Sequence, residues 1–153
     1  MKRRTFLKGT VASGMLGVAA SAGLLMPRMV LAAWPKSAFD AHKIDDALNA
    51  LYGSASTAES GDIKIKAPDI AENGAVVPIS VSTGMKASSI AVLIKENPSP
   101  VTCSYELGGD TVGFISCRVK MGKTSDLIAV VKSGGKLHSA KRKIKVTIGG
   151  CGG

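Results

Sequence analysis

Aromatic side chains are scarce in this sequence, with one tryptophan, two tyrosines and three phenylalanines among 153 residues. So few rings give no platform on which the bases of single-stranded nucleic acid would stack, and nucleic acid is not an expected partner. Histidine is as scarce. His42 and His138 lie far apart, and neither has a Cys, Asp or Glu at metal-ligand spacing. Both read as surface residues, and no metal is expected. The sequence has no Cys-x-x-Cys, no haem-attachment motif, no nucleotide loop and no Ser-His-Asp set. Its carboxylates are scattered, without a pair suited to acid–base work. These absences nominate no catalytic residue and no cofactor for this chain, which is expected not to be an enzyme by itself.

Acids are missing altogether from the N-terminal segment. Lys2-Arg3-Arg4-Thr5-Phe6-Leu7-Lys8 places paired arginines ahead of residues 9–27, a run without charge that is rich in glycine and alanine. That is the pattern of a twin-arginine export signal. Arg28 and a small-residue stretch ending Leu31-Ala32-Ala33 follow, a suitable cleavage region. The uncharged run is long enough to span a bilayer, but its low apolarity and its Ala-Ala end favour cleavage. Residues 1–33 are therefore expected to be removed, leaving a periplasmic chain with no membrane association. Five of the twenty cations go with them, so fifteen cations face eleven acids and the mature charge is +4 rather than +9. Export by this route carries folded cargo, either loaded with a cofactor or bound to a partner, and the lack of a cofactor motif favours a partner.

The mature chain is long enough for one domain with a core. Residues 37–52 read as a short amphipathic helix capped by Ser37, with Phe39, Ile44, Leu48 and Leu51 on its apolar face and Gly53 ending it. Residues 54–61 are a polar linker, so 34–61 form a helix-and-linker leader to the domain at 62–148. That domain reads as strands and turns. Residues 62–66 alternate at period two; 68–74 form a loop closed by Asn73-Gly74; 75–82 are β-branched, with Pro78 indicating an edge or a bulge. Residues 88–95 form an apolar strand stopped by Glu96-Asn97-Pro98-Ser99-Pro100. Strands 101–107 and 112–121 flank Gly108-Gly109-Asp110, which reads as a hairpin turn. Strand 125–132 ends at Ser133-Gly134-Gly135, and 137–148 is the last. In it Arg142, Ile144, Val146 and Ile148 alternate with Lys141, Lys143, Lys145 and Thr147, placing the lysines towards water. Seven strands with this punctuation predict an all-β antiparallel sandwich.

Three cysteines remain to be placed. Cys103 and Cys117 lie equally far from Asp110, so a hairpin centred there sets them opposite each other, and in an oxidising compartment they are a candidate disulfide. A register shifted by one residue would instead point them apart, as two small buried hydrophobes. Cys151 is different. It sits in Gly149-Gly150-Cys151-Gly152-Gly153, where glycines remove steric limits on the backbone and leave the thiol without neighbours. A thiolate is a nucleophile, and five extended residues span about 17 Å. Gly149, Gly150, Gly152 and Gly153 therefore read as a flexible arm, 149–153, with a reactive tip. The cations that follow Asp126 without any acid side chain either form a solvated strand face or favour anionic substrates near the arm's root.

The terminal Gly-Gly-Cys-Gly-Gly, the twin-arginine leader, the 68–74 segment Pro-Asp-Ile-Ala-Glu-Asn-Gly and the 96–100 segment Glu-Asn-Pro-Ser-Pro together resemble the SoxY family of periplasmic thiosulfate oxidation. The resemblance covers essentially the whole chain. It implies an immunoglobulin-like sandwich, a heterodimer with SoxZ (a second β-sandwich subunit without a signal), and Cys151 as the covalent attachment site for thiosulfate-derived sulfur. It further implies transient contacts with SoxXA, a haem protein that joins thiosulfate to the cysteine; SoxB, a di-metal hydrolase that releases sulfate; and a molybdenum-containing sulfur dehydrogenase. Those cofactors belong to the partners. Cys103 and Cys117 are not part of the family's pattern. Two other classes compete: ubiquitin-like sulfur carriers, which are activated at a terminal Gly-Gly carboxylate in the cytoplasm, and a non-catalytic periplasmic scaffold.

Overall fold

The computed structural model describes residues 35–147. The export leader and its cleavage site, together with Ile148 and the 149–153 arm with Cys151, lie outside the described residues.

Two helices come first, α1 (Lys36–Asp40) and α2 (Ile44–Tyr52), where the periodicity predicts one. Ala41 and Lys43 are extended, with ψ of 142° and 146°, so the chain bends between the two helices. Asp45 and Asp46 stabilise the restart by lying in the positive first turn of α2. Pro35, not Ser37, occupies the N-cap position of α1. Gly53 ends α2 as predicted, at φ 76°, its N–H donating to Asn49 O at 2.8 Å.

The strands are β1 (Ala58–Glu59), β2 (Ile63–Lys66), β3 (Ile70–Ala71), β4 (Val77–Thr83), β5 (Ala87–Ile94), β6 (Val101–Glu106), β7 (Phe114–Val119), β8 (Ser125–Ser133) and β9 (Lys136–Val146). Seven of them are longer than two residues, and they form the two sheets of an all-β, immunoglobulin-like sandwich. The larger sheet has the order β1-β9-β8-β5-β6, with β3 also on β9; the smaller is β2-β4-β7. The long strands pair antiparallel, while β1 and β3 each pair parallel with β9. β3 lies inside the 68–74 stretch that the sequence marks only as a loop.

Burial explains the composition of β5 and β8. Residues 90–94 and 127–131 are buried without a break because the larger sheet is covered on both faces. Ile90, Val92, Ile94, Leu127, Ala129 and Val131 pack between the sheets against Val77, Ile79 and Val81. Ala91, Leu93, Ile128 and Val130 face the other way, onto Ala47 and Leu48 of α2. Each valine, leucine or isoleucine among them removed from water contributes about 1.5–3 kcal/mol. Tyr52 joins the helix layer to the sheet, its hydroxyl 2.9 Å from Oγ of the buried Ser89.

Pro78 lies in β4, the central strand of the smaller sheet. β2 pairs only with residues 80–83 of that strand, so at Pro78 the β4 backbone has β7 alone as a neighbour. The expected edge position therefore holds locally, and the missing N–H is tolerated there for that reason. One sequence expectation is corrected: residues 108–110 do not turn a hairpin. β6 pairs with β5 and β7 pairs with β4, so the connection crosses from one sheet to the other. Gly113 draws it across. Its carbonyl accepts from Thr83 N at 2.8 Å, and a Cβ on it would lie 2.7 Å from Thr83 Cγ2. The tight hairpin is instead β8–β9, whose Gly134 and Gly135 take φ of 56° and 77°.

These glycines separate by substitution. Gly135→Ala should lower stability in chemical denaturation by about 1 kcal/mol through strain at positive φ. Gly113→Ala should cost about 1–3 kcal/mol through overpacking against Thr83. Gly109 faces open space, so Gly109→Ala should stay within about 0.5 kcal/mol of the parent.

Candidate functional site

The described chain stops at Thr147, four residues short of Cys151. What is visible is therefore the end of β9, and it is fastened on both edges. On one edge β3 runs parallel to it: Lys145 N donates to Asp69 O at 2.9 Å and Thr147 N to Ala71 O at 3.1 Å. On the other edge β8 starts at Ser125, opposite Ile144, so β9 outruns its neighbour. Thr124 fills that place, its Oγ1 accepting from Val146 N at 3.0 Å. The three backbone donors of residues 145–147 are all engaged.

Under this end lies Gly74. Its carbonyl accepts from Met121 N at 2.7 Å, and a Cβ there would sit 2.3 Å from Met121 O and 2.8 Å from Val146 Cγ1. Only glycine lets the two backbones approach so closely. Asn97 ties down the same loop, with Nδ2 donating to Lys120 O at 2.8 Å and Oδ1 accepting from Gly122 N at 3.2 Å. The segments 68–74 and 96–100, which the sequence presents as turns far apart, thus both reach the 120–122 loop beside the end of β9. Sequence reasoning missed Thr124 in this role, since a lone threonine between strands carries no signal.

Arg142 links this edge to the smaller sheet. Its Nη2 lies 2.8 Å from Asp69 Oδ1 and its Nη1 donates to Ile65 O at 3.3 Å. Asp69 is exposed, so the ion pair adds at most about 1 kcal/mol; the carbonyl contact positions the 65–69 segment. Lys141, Lys143 and Lys145 are exposed, as the alternation predicts. Lys145 stands two residues before Thr147 and gives this end a positive surface. His42 caps the 96–100 loop, with Nδ1 2.8 Å from Pro98 O. His138 is partly buried in β9, distant in sequence from it. Among the described residues no group of three His, Cys, Asp or Glu side chains is placed to hold a metal.

Cys103 and Cys117 come together although the hairpin that predicts it does not exist. They lie on strands of different sheets, with their sulfurs 3.7 Å apart as free thiols. Burial, and next to it the neighbouring Cys117, push the Cys103 thiol up to about 12. It is therefore protonated, and a poor nucleophile, at neutral pH.

Thr124→Val keeps the shape of the side chain and removes the acceptor for Val146 N. Amide exchange at Val146 should accelerate several-fold while core amides slow in exchange keep their protection, a contrast measurable by NMR; the expected loss of stability is about 1 kcal/mol. The raised Cys103 value sets a pH dependence. Its contribution to stability is whole below the ordinary thiol value and is lost as pH climbs from there towards about 12, because the unfolded chain releases the proton first. Reduced protein should therefore unfold in alkali at a lower pH than Cys103→Ala, compared by circular dichroism.

The model of the family described as "Sulfur oxidation protein SoxY" matches residues 48–151. Among solved structures, the chain is similar to the sulfur carrier protein SoxY from Chlorobium limicola f thiosulfatophilum, at 45% identity over 69% of this chain and 97% of that one, with a TM-score of 0.64. A weaker likeness, to the Bacteroides uniformis beta-glucuronidase, has 10% identity, a TM-score of 0.40 and 68% and 12% coverage. No match was found among curated proteins. The matched region takes in the sandwich, both segments that converge under β9, and the terminal cysteine itself; the chain belongs to the SoxY family of sulfur oxidation proteins.

Proposed function

We propose that this chain is a periplasmic sulfur carrier in thiosulfate oxidation, with Cys151 as the covalent attachment site. The observation that carries the reading is that the family match runs to residue 151, the cysteine at the tip of the glycine tail. The fixed root at Thr147 agrees with it. Four residues further on, the thiol can lie as far as about 14 Å from that root, so a tip of small cross-section can enter the cleft of another protein while the sandwich stays outside.

The chemistry on the thiol balances as two steps. The Cys151 thiolate and thiosulfate join through a new S–S bond, giving Cys–S–S–SO₃⁻ and releasing two electrons to the haem-containing partner SoxXA. Water then cleaves the bond between the sulfane sulfur and the sulfonate, giving sulfate, two protons and the persulfide Cys–S–S⁻, a step assigned to SoxB. A sulfur dehydrogenase takes the persulfide further. The chain itself supplies the nucleophile, the reach and the cationic surface at Lys141, Lys143 and Lys145, which favours anionic adducts near the root. SoxZ is the stable partner, carried through the twin-arginine route with the folded chain. A ubiquitin-like carrier would need activation at the Gly153 carboxylate, and a scaffold would need no thiol.

The test is turnover of thiosulfate by the reconstituted complex, with mass spectrometry of the tail. Cys151→Ser should abolish turnover and leave the thermal midpoint within about 1 °C, because the change removes no buried side chain. Sulfur adducts should map to the peptide containing Cys151 in the parent. Gly150→Val and Gly152→Val should slow delivery to the partner enzymes more than reaction with iodoacetamide, since a β-branched neighbour restricts the backbone without altering the thiol. Full turnover by Cys151→Ser, or a terminal thiocarboxylate in place of the cysteine adduct, would overturn the proposal.

A further inference from the structure

The carrier reading leaves two of the three cysteines without a task. Their position is specific. β6 is the edge strand of the larger sheet and β7 the edge strand of the smaller. Among the described residues no backbone hydrogen bond joins β6 to β7. On the opposite flank Arg142 of β9 reaches across to the Ile65 carbonyl of β2. On the β6–β7 flank the sheets meet through side chains, and Cys103 and Cys117 are partly buried against the core between them.

We propose that Cys103 and Cys117 form a reversible disulfide that fastens the two sheets together along this flank. A disulfide has an S–S length near 2.05 Å, so sulfurs now 3.7 Å apart must approach by roughly 1.6 Å. Each cysteine sits on an edge strand with a single hydrogen-bonded neighbour, which can make such a shift without breaking a ladder on its other side. Both cysteines are only partly buried, so the flank is open to an oxidant from outside. Tyr105, 38% exposed, follows Cys103 by two residues on β6 and is an electrostatic neighbour of both cysteines.

The oxidant is a disulfide-bearing molecule. One cysteine thiolate attacks it, forming a mixed disulfide and releasing one thiol. The second cysteine then attacks the sulfur of the first and releases the other thiol. The pair loses two electrons and two protons, and the reagent gains them as two thiols. The bond closes a loop from residue 103 to residue 117. With Cys151 as the carrier, as proposed above, closure also leaves it the sole thiol, so that no second cysteine competes for sulfur.

The experiment uses mature Cys151→Ser protein, reduced and then treated with oxidised glutathione, so that its outcome is independent of thiosulfate turnover. The expected product lacks two hydrogens, yields one linked peptide pair containing Cys103 and Cys117, and has a thermal midpoint higher by roughly 10 °C. Dithiothreitol should reverse all three changes. Adding Cys117→Ser should remove the linked pair and the rise in midpoint. Stable glutathione adducts without a linked pair, or both cysteines open to alkylation after oxidation, would overturn the proposal; so would a linked pair with an unchanged or lower midpoint.

Discussion

Backbone hydrogen bonds at the end of β9 are the constraint on which the rest of the structure depends. A terminal strand usually frays, because its last donors and acceptors exchange readily with water. Here β3 takes Lys145 and Thr147, and Thr124 takes Val146. Gly74 permits the close approach beneath them. The contacts gathered at this corner come from three loops, and each contributes little alone. Together they turn the end of a strand into a fixed point from which a short tail departs.

Stiffness behind that point comes from the larger sheet. β8, the neighbour of β9, is buried on both faces through residues 127–131, with the smaller sheet on one side and α2 on the other. A sheet covered on both faces resists bending, so the position of Thr147 is set by the core and not by the loops alone. β1 and β3 also cover the outer edge of β9, which would otherwise be open to pairing with another chain.

Much of this was legible in the residues. The uninterrupted apolar runs of β5 and β8, the alternation in β9 and the Ser133-Gly134-Gly135 turn all announce themselves, because burial and turn geometry demand those residue types. The corner at 108–113 was not. Gly108-Gly109-Asp110 looks like a hairpin locally, and only the packing of Gly113 under Thr83 decides that the chain changes sheets. That is a contact between distant residues, which local pattern does not contain. The cysteines met all the same, because a corner returns a chain past itself much as a hairpin does. Thr124 and Gly74 were invisible in their roles for the same reason as Gly113.

The parallel pairing of β3 with β9 joins Ala71 to Val146, seventy-five residues later. During synthesis the N-terminal part of this seam must therefore wait for nearly the whole chain. β9 is also the strand that bonds β8, β1 and β3 at once, so a nascent chain that stops before residue 136 cannot close its sandwich. The cysteine is encoded only a few codons beyond that strand. Any cellular step that admits folded chains and rejects unfolded ones thereby selects, without reading the tail, for molecules whose translation has passed the end of β9.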